Sequence, residues 1–144
     1  MDVIHEYFKM DNIAAALGMT IEQLEPGQAV VTMPVADIHM NGLRAVHGGA
    51  LFSLADFCFA VASNSHGRVA VAVNANISFY RAVSSGVLTA SAHETYLGGR
   101  MAGYTVDITD ESNALIATMQ GLVYRKDESI EGVVAKRTAE RDQS

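Results

Sequence analysis

One carboxylate stands alone in the most apolar stretch of the chain. From Gly48 to Ser63 the sequence reads GGALFSLADFCFAVAS, and Asp56 is its only charged residue. Burying a lone carboxylate is costly unless it is paired or hydrogen-bonded. At helical spacing, Gly49, Ser53, Asp56, Ala60 and Ser63 fall 4, 3, 4 and 3 residues apart. They form one narrow stripe of small or polar side chains. Leu51, Phe52, Leu54, Phe57, Phe59 and Val61 cover the rest of the surface. The large side chains are expected to meet a sheet, and the small stripe to face something that approaches closely. A second copy of the same helix is the economical occupant. Asp56 would then lie in a partly dry cleft between subunits, a setting that shifts carboxylate pKa values and recurs at functional sites. The same placement also fits an acid that only hydrogen-bonds across the interface.

His47-Gly48-Gly49 opens this helix. Free backbone N–H groups point outward at a helix start, and the helix dipole favours negative charge there. Glycine lets a ligand approach the backbone closely. The Gly48 N–H is therefore a candidate donor to a carbonyl oxygen that develops charge; the alternative is a Gly-rich helix entrance with no ligand. Asn41-Gly42 lies six residues before His47. The Asn41 side chain is placed to add a second donor or orient a water, or else the pair is an ordinary Asn-Gly turn.

Other chemistry finds little support. The histidines, at 5, 39, 47, 66 and 93, show no metal-binding spacing, and Cys58 has no cysteine partner, so no metal is expected. Each histidine outside the motif reads as a surface or packing residue. Cys58 sits in the apolar helix, where inert burial is expected rather than nucleophilic attack.

These residues need elements to position them. Residues 1–17 read as one amphipathic helix ending at Gly18. Residues 19–25 and 28–35 read as strands split by Pro26-Gly27. Residues 36–46 read as a loop, and the segment from His47 to Gly67 as a buried helix stopped by Asn64–Gly67. Four further strands are expected near 69–80, 86–97, 101–109 and 113–125. Short breakers between them predict antiparallel pairing. A helix apolar on most sides needs a sheet curled around it, which gives an α+β fold. The charge-rich end, Asp127 to Ser144, reads as a loose helix or a disordered tail.

Composition sets outer limits. The chain has 144 residues, a formal net charge of −6, 49% hydrophobic and 18% charged residues. That fits a single domain with a large core, or with surface buried against another copy. No basic stripe marks a nucleic-acid partner. No signal peptide and no run of about 18 apolar residues is evident, so no membrane span is expected. The lone cysteine fits a reducing cytoplasm.

Together, Asn41-Gly42, His47-Gly48-Gly49, Leu54-Ala55-Asp56 and Asn64-Ser65-His66-Gly67 resemble the PaaI-type branch of the hotdog thioesterase superfamily. That branch includes phenylacetyl-CoA thioesterases and related small acyl-CoA thioesterases. The resemblance spans roughly residues 10–126. It implies a hotdog fold, an antiparallel sheet wrapped around one long central helix, in a single domain of residues 1–126 with a charged tail at 127–144. It implies subunits that pair so that their sheets join, often as a homotetramer built from two dimers, with an active site drawn from both subunits of a dimer. The implied activity is hydrolysis of a small or aromatic acyl-CoA to free acid and CoA, without a cofactor, as in phenylacetic acid degradation.

Carried over by position, Asp56 is implied to be the acid, acting as general base or as nucleophile. Gly48 is implied to be the oxyanion glycine, Asn41 the Asn of the preceding loop, and His47 a residue that shapes the site. Arg81 and the Gly99-Arg100 turn match positions near CoA only loosely. Where relatives often have Arg-Pro, this chain has Arg81-Ala82. Some relatives carry a Ser or Thr on the adjoining strand to assist the water. Here the polar residues are Asn74, Asn76 and Ser78, and none is assigned that role. The competing readings are a hotdog hydratase, whose Asp/His pairing is not evident, and a non-catalytic acyl-CoA-binding hotdog protein.

Overall fold

The computed structural model describes residues 1–143. The chain begins with two short helices, α1 (Asp2–Phe8) and α2 (Asn12–Leu17), followed by strands β1 (Thr20–Glu25) and β2 (Gln28–Pro34). A long helix, α3 (Gly48–Asn64), leads to strands β3 (Arg68–Phe79), β4 (Val87–Leu97), β5 (Met101–Thr109) and β6 (Leu115–Ser129). Helix α4 (Ile130–Gln143) closes the described chain. The strands form one six-stranded sheet in the order β1-β2-β4-β5-β6-β3, with every neighbouring pair antiparallel. This is the α+β arrangement expected from the sequence. Pro26-Gly27 makes the first hairpin turn, with Gly27 at φ +78°. Helix α3 then carries the chain across the sheet, so β3 becomes the edge strand opposite β1.

The sheet curls around α3 because its two faces differ. Along β5, Ala102, Tyr104, Val106 and Ile108 are buried, while the residues between them are half-exposed. Alternation of this kind leaves one apolar face, and α3 fills it with Leu51, Leu54, Ala55, Phe57, Cys58, Phe59, Val61 and Ala62. Packing is closest where Phe59 lies over Gly121: a Cβ on Gly121 would stand 2.5 Å from the ring. Phe59 also meets Tyr104 edge-on, with centroids 5.8 Å apart.

The C-terminal end of α3 is fastened by polar contacts. Asn64 accepts from the Ala70 N–H (2.9 Å) and donates to Ala60 O (2.8 Å). Ser65 Oγ accepts from the Gly27 N–H at 2.8 Å. His66 Nε2 lies 2.7 Å from a Glu94 carboxylate oxygen that also accepts from the Tyr104 hydroxyl.

Two expectations need correction or completion. Residues 1–17 are two helices, not one. Asp11 breaks the run because its carboxylate caps α2, accepting from the Ala14 N–H at 2.9 Å, and a capping Asp competes with a continuing helix. The charged end is ordered as α4, preceded by a β6 that runs on to Ser129. Ile130 is fully buried, Val133 and Val134 pack on the core, and the Arg137 guanidinium stacks 4.7 Å from the Tyr7 ring centroid.

Gly121→Ala is expected to destabilise the fold by about 1–3 kcal/mol, the usual cost of overpacking. A urea titration at fixed protein concentration should show a lower midpoint with an unaltered slope. An unshifted midpoint would mean that Phe59 moves aside freely.

Candidate active site

Helix α3 presents its small stripe to the outside. Gly49, Ser53, Asp56 and Ala60 remain open to varying degrees, while Leu54, Ala55, Phe57 and Cys58 are buried. Ser63 departs from the stripe: it is buried and donates to Ala60 O at 3.1 Å. Phe52, expected against the sheet, is half-buried and adjoins the open face.

Asp56 is half-buried, and among the described residues nothing hydrogen-bonds to its carboxylate. Its pKa is raised, first because burial disfavours the charged form and second because the Asp11 charge repels it. A carboxylate held nearer neutrality and left unpaired suits proton transfer.

The start of α3 is built around His47. Its Nδ1 accepts from the Gly49 N–H at 2.9 Å, so His47 caps the helix. In the neutral ring this leaves the proton on Nε2. Among the described residues the Gly48 N–H has no partner, as expected for a first-turn donor. It adjoins a cleft of about 300 Å³ lined by Asn41, Gly48, Leu51, Phe79, Tyr80 and Arg81. The Phe79 ring lies against Gly48, where a Cβ would meet it at 3.4 Å.

The loop before α3 fixes Asn41. Its Oδ1 accepts from the Leu43 N–H (2.9 Å) and the Ala45 N–H (3.1 Å). With the carbonyl oxygen so engaged, the Nδ2 amide is the group left to donate. Arg44 takes a left-handed conformation here, φ +59°, which is uncommon for a residue with a side chain. The loop closes through a bridge between Met40 and Val46.

His39, read from sequence as a surface or packing residue, fastens this loop and is 1% exposed. Its Nδ1 accepts from the Ala36 N–H (3.0 Å), its Nε2 donates to Leu17 O (2.8 Å), and its carbonyl accepts from the His47 N–H (2.7 Å). Nothing in the spacing of the histidines singles it out. Asp11 was also missed, although an Asp just before NIAAAL is a legible capping signal.

One chain assembles only part of the expected constellation. Asn41, Gly48 and Arg81 share the cleft, and His47 caps the helix beside it. Asp56 does not line it. It lies eight residues beyond Gly48 on the same helix, or about 12 Å of axial rise. Arg81 is exposed and makes no salt bridge or side-chain hydrogen bond among the described residues. Gly99 and Arg100 stand at the opposite end of the sheet. There Gly99 O accepts from Arg68 at 3.1 Å, and Arg68 starts the strand that Phe79 ends, roughly 35 Å away at strand rise. Arg100 pairs with Asp127 at 2.7 Å and stands 6.0 Å from the Tyr124 ring centroid. Asn74, Asn76 and Ser78 alternate with Ala75 and Ile77, which pack on the core. They therefore face away from α3, and none can assist a water beside Asp56 of the same chain.

Cys58 is fully buried, and its thiol donates to Ala29 O and Ala90 O at 3.4 Å each. Burial pushes its pKa up to about 12, which leaves it no nucleophilic role. Among the described residues, no three His, Cys, Asp or Glu side chains converge as a metal site requires. No helix there is long and apolar enough to cross a membrane.

Residues 43–117 match the family model of the thioesterase superfamily. The chain belongs to the thioesterase superfamily. It is 39% identical over 129 residues to Escherichia coli acyl-coenzyme A thioesterase PaaI, covering 89% of this chain and 92% of that one. It is 28% identical over 115 residues to human acyl-coenzyme A thioesterase 13, covering 77% and 82%. The solved structure of the E. coli PaaI protein from the phenylacetic acid degradation operon superposes with a TM-score of 0.86 at 36% identity, over 89% of this chain and 94% of that chain. The fold is the hotdog fold.

Folding raises the Asp56 pKa above its unfolded value, so Asp56 costs stability once pH exceeds the ordinary carboxylate range. That cost is absent below about pH 4. Asp56→Asn should therefore raise the urea midpoint at pH 7, with the gap closing as pH falls toward 4. A variant less stable than wild type at pH 7 would show that the acid is a structural tie.

Proposed function

We propose that the protein is an acyl-CoA thioesterase whose active site joins the Asn41–Gly48 cleft of one subunit to Asp56 of a second. The observation that carries this reading is the separation on α3. The donors for an oxyanion and the acid that would activate water sit two helical turns apart, both half-buried and neither enclosed. Two copies of α3 packed antiparallel through the small Gly49–Ala60 stripe close that gap, because each brings its Asp56 toward the other's helix start.

The sheet edges support the same pairing. β3 is a twelve-residue edge strand carrying Val73 at 52% exposure and ending in Phe79 at 51%. A long apolar edge is a template for strand addition. Joining two β3 edges antiparallel about a two-fold axis lays the start of one strand beside the end of the other. The Gly99-Arg100 turn of the second copy then approaches the end of the sheet that holds Arg81. Together these cations supply charge for the phosphates of CoA. The outer sheet face carries Asn76, Thr105, Thr118 and Gln120, with Asp107 held by the Thr118 hydroxyl at 2.8 Å. That supports a second contact, making a homotetramer from two dimers.

In the reaction, a water attacks the thioester carbonyl carbon while Asp56 takes its proton. The Gly48 N–H and the Asn41 amide hold the oxyanion, and His47 keeps the Gly48 donor oriented by capping the helix. The C–S bond then breaks. The thiolate leaves with a proton returned from Asp56, and the carboxylic acid remains. A thiolate is a good leaving group, so one acid suffices. A small or aromatic acyl group and a cytoplasmic role in degrading compounds such as phenylacetic acid belong to this reading; the likeness to the E. coli PaaI protein of the phenylacetic acid degradation operon supports it.

Asp56→Asn should lower turnover by about 10²- to 10⁴-fold, the usual worth of a general base. Asn41→Asp keeps the loop acceptors but replaces the donor, and should cost about 10²- to 10³-fold. A mixed dimer of the two variants contains one intact composite site and should regain activity. Mixed dimers that form yet stay inactive in thiol-release assays would place the whole site within one subunit.

A further inference from the structure

A second cleft, of about 340 Å³, lies between α1, α2, the start of β1 and α3. Phe8, Ala14, Ala15, Met19, Ile21 and Phe57 make its walls mainly apolar, and Asp11 lines it as well. Phe57 directly follows Asp56 in α3, and Asp11 is the residue whose charge bears on Asp56. The cleft therefore adjoins the acid.

We infer that this cleft receives the acyl group of the thioester, and that Asp11 beside Asp56 makes it selective for acyl groups that carry no charge. The inference rests on the composite thioesterase site proposed above. A thioester attacked by water from Asp56 must hold its carbonyl carbon within one water of that carboxylate. The CoA side leaves past Arg81, so the acyl side needs an apolar concavity next to Asp56. The other large clefts do not offer one. The groove between α1 and α4 has Met10 and Val134 in its wall beside Glu6, Lys9 and Arg137, but no residue of α3, so it does not adjoin Asp56. The hollow on the outer sheet face is lined by Asn74, Asn76 and Gln120, on the side of the sheet away from α3.

The cleft by Asp56 is firmly built. Phe8 meets Phe57 edge-on at 5.6 Å between centroids. The cap on α2 fixes Asp11, and His39 ties the end of α2 to the loop that carries Asn41. Its volume falls at the small end of the roughly 300–1,000 Å³ typical of ligand sites, which suits one ring or a short chain.

Its charges explain the selectivity. Lys9, the one ammonium on the wall, is committed to Glu6 at 2.8 Å. His5 directs Nδ1 to Met1 O at 3.1 Å. Asp11 in the wall and Asp56 next to Phe57 are the remaining charges, and both repel an acyl carboxylate across a partly dry gap.

The test compares kcat/KM for acetyl-CoA, phenylacetyl-CoA and glutaryl-CoA in the full-length protein. Ala15 is exposed on α2, so Ala15→Phe adds a ring to the cleft without disturbing the core; Ala15→Leu is the milder companion. Both should lower the phenylacetyl-to-acetyl ratio, by about tenfold or more for Phe, within the range that pocket size controls. Asp11→Asn retains the helix cap and should raise the glutaryl-to-phenylacetyl ratio about tenfold. A ratio of two substrates cancels any general change in the activity of Asp56. If the wild type hydrolyses these thioesters and both Ala15 variants keep its phenylacetyl-to-acetyl ratio, the acyl group lies elsewhere. An Asp11→Asn enzyme with the wild-type glutaryl-to-phenylacetyl ratio would remove the charge selection. If the wild type releases no CoA from any of the three, the thioesterase reading itself fails and takes this one with it.

Discussion

The geometry of a single α-helix governs the site. Each residue advances the axis by about 1.5 Å, so the eight steps from Gly48 to Asp56 separate anion-stabilising donors from the acid by far more than a side chain can bridge. No rotamer closes that distance. Under the proposed pairing the stripe of small residues between them would serve as a close-approach surface, and the unpaired Asp56 would meet its counterpart across it. In the proposed dimer such a chain would carry two half-sites, and a neighbour related by two-fold symmetry would make both whole.

Given that constraint, the rest of the fold holds each half-site in position. The Asn41 loop spends its own carbonyl oxygen on two backbone donors and tolerates a left-handed Arg44, so the amide is oriented before any ligand arrives. His39 and His47 are histidines used as fasteners, one stitching α2 to the loop and one capping α3. At the other end of the helix, Asn64, Ser65 and His66 tie α3 to the sheet. Such fixing lets donors act without reorganising as charge develops.

Much of this was legible in the sequence. Alternation and turn residues place every strand within a few positions, and the single acid in an apolar run points directly at Asp56. What stayed hidden depends on contacts between distant segments. Asp11 precedes NIAAAL as a capping residue would, but the sequence does not show that the folded chain brings its charge to bear on Asp56. His39 looks like any other isolated histidine until the loop folds back on α2. Gly99-Arg100 and Arg81 match positions near CoA only loosely through the resemblance, and the antiparallel strands they follow send their ends to opposite sides of the sheet. The charged terminus resembles a solvated tail because its few apolar residues, Ile130, Val133 and Val134, are too sparse to announce a docked helix.

The two rims of the sheet are unlike each other. β1 is six residues long, bears Glu22 and Glu25, and ends at Pro26, all features that discourage further pairing. β3 is long and apolar. In the proposed pairing, joining two copies through β3 would consume both long rims and leave a twelve-stranded ribbon bounded by acid and proline at either end. Growth would then stop at closure, so the strand exposure that threatens a lone monomer with fibrillation would instead set the number of subunits.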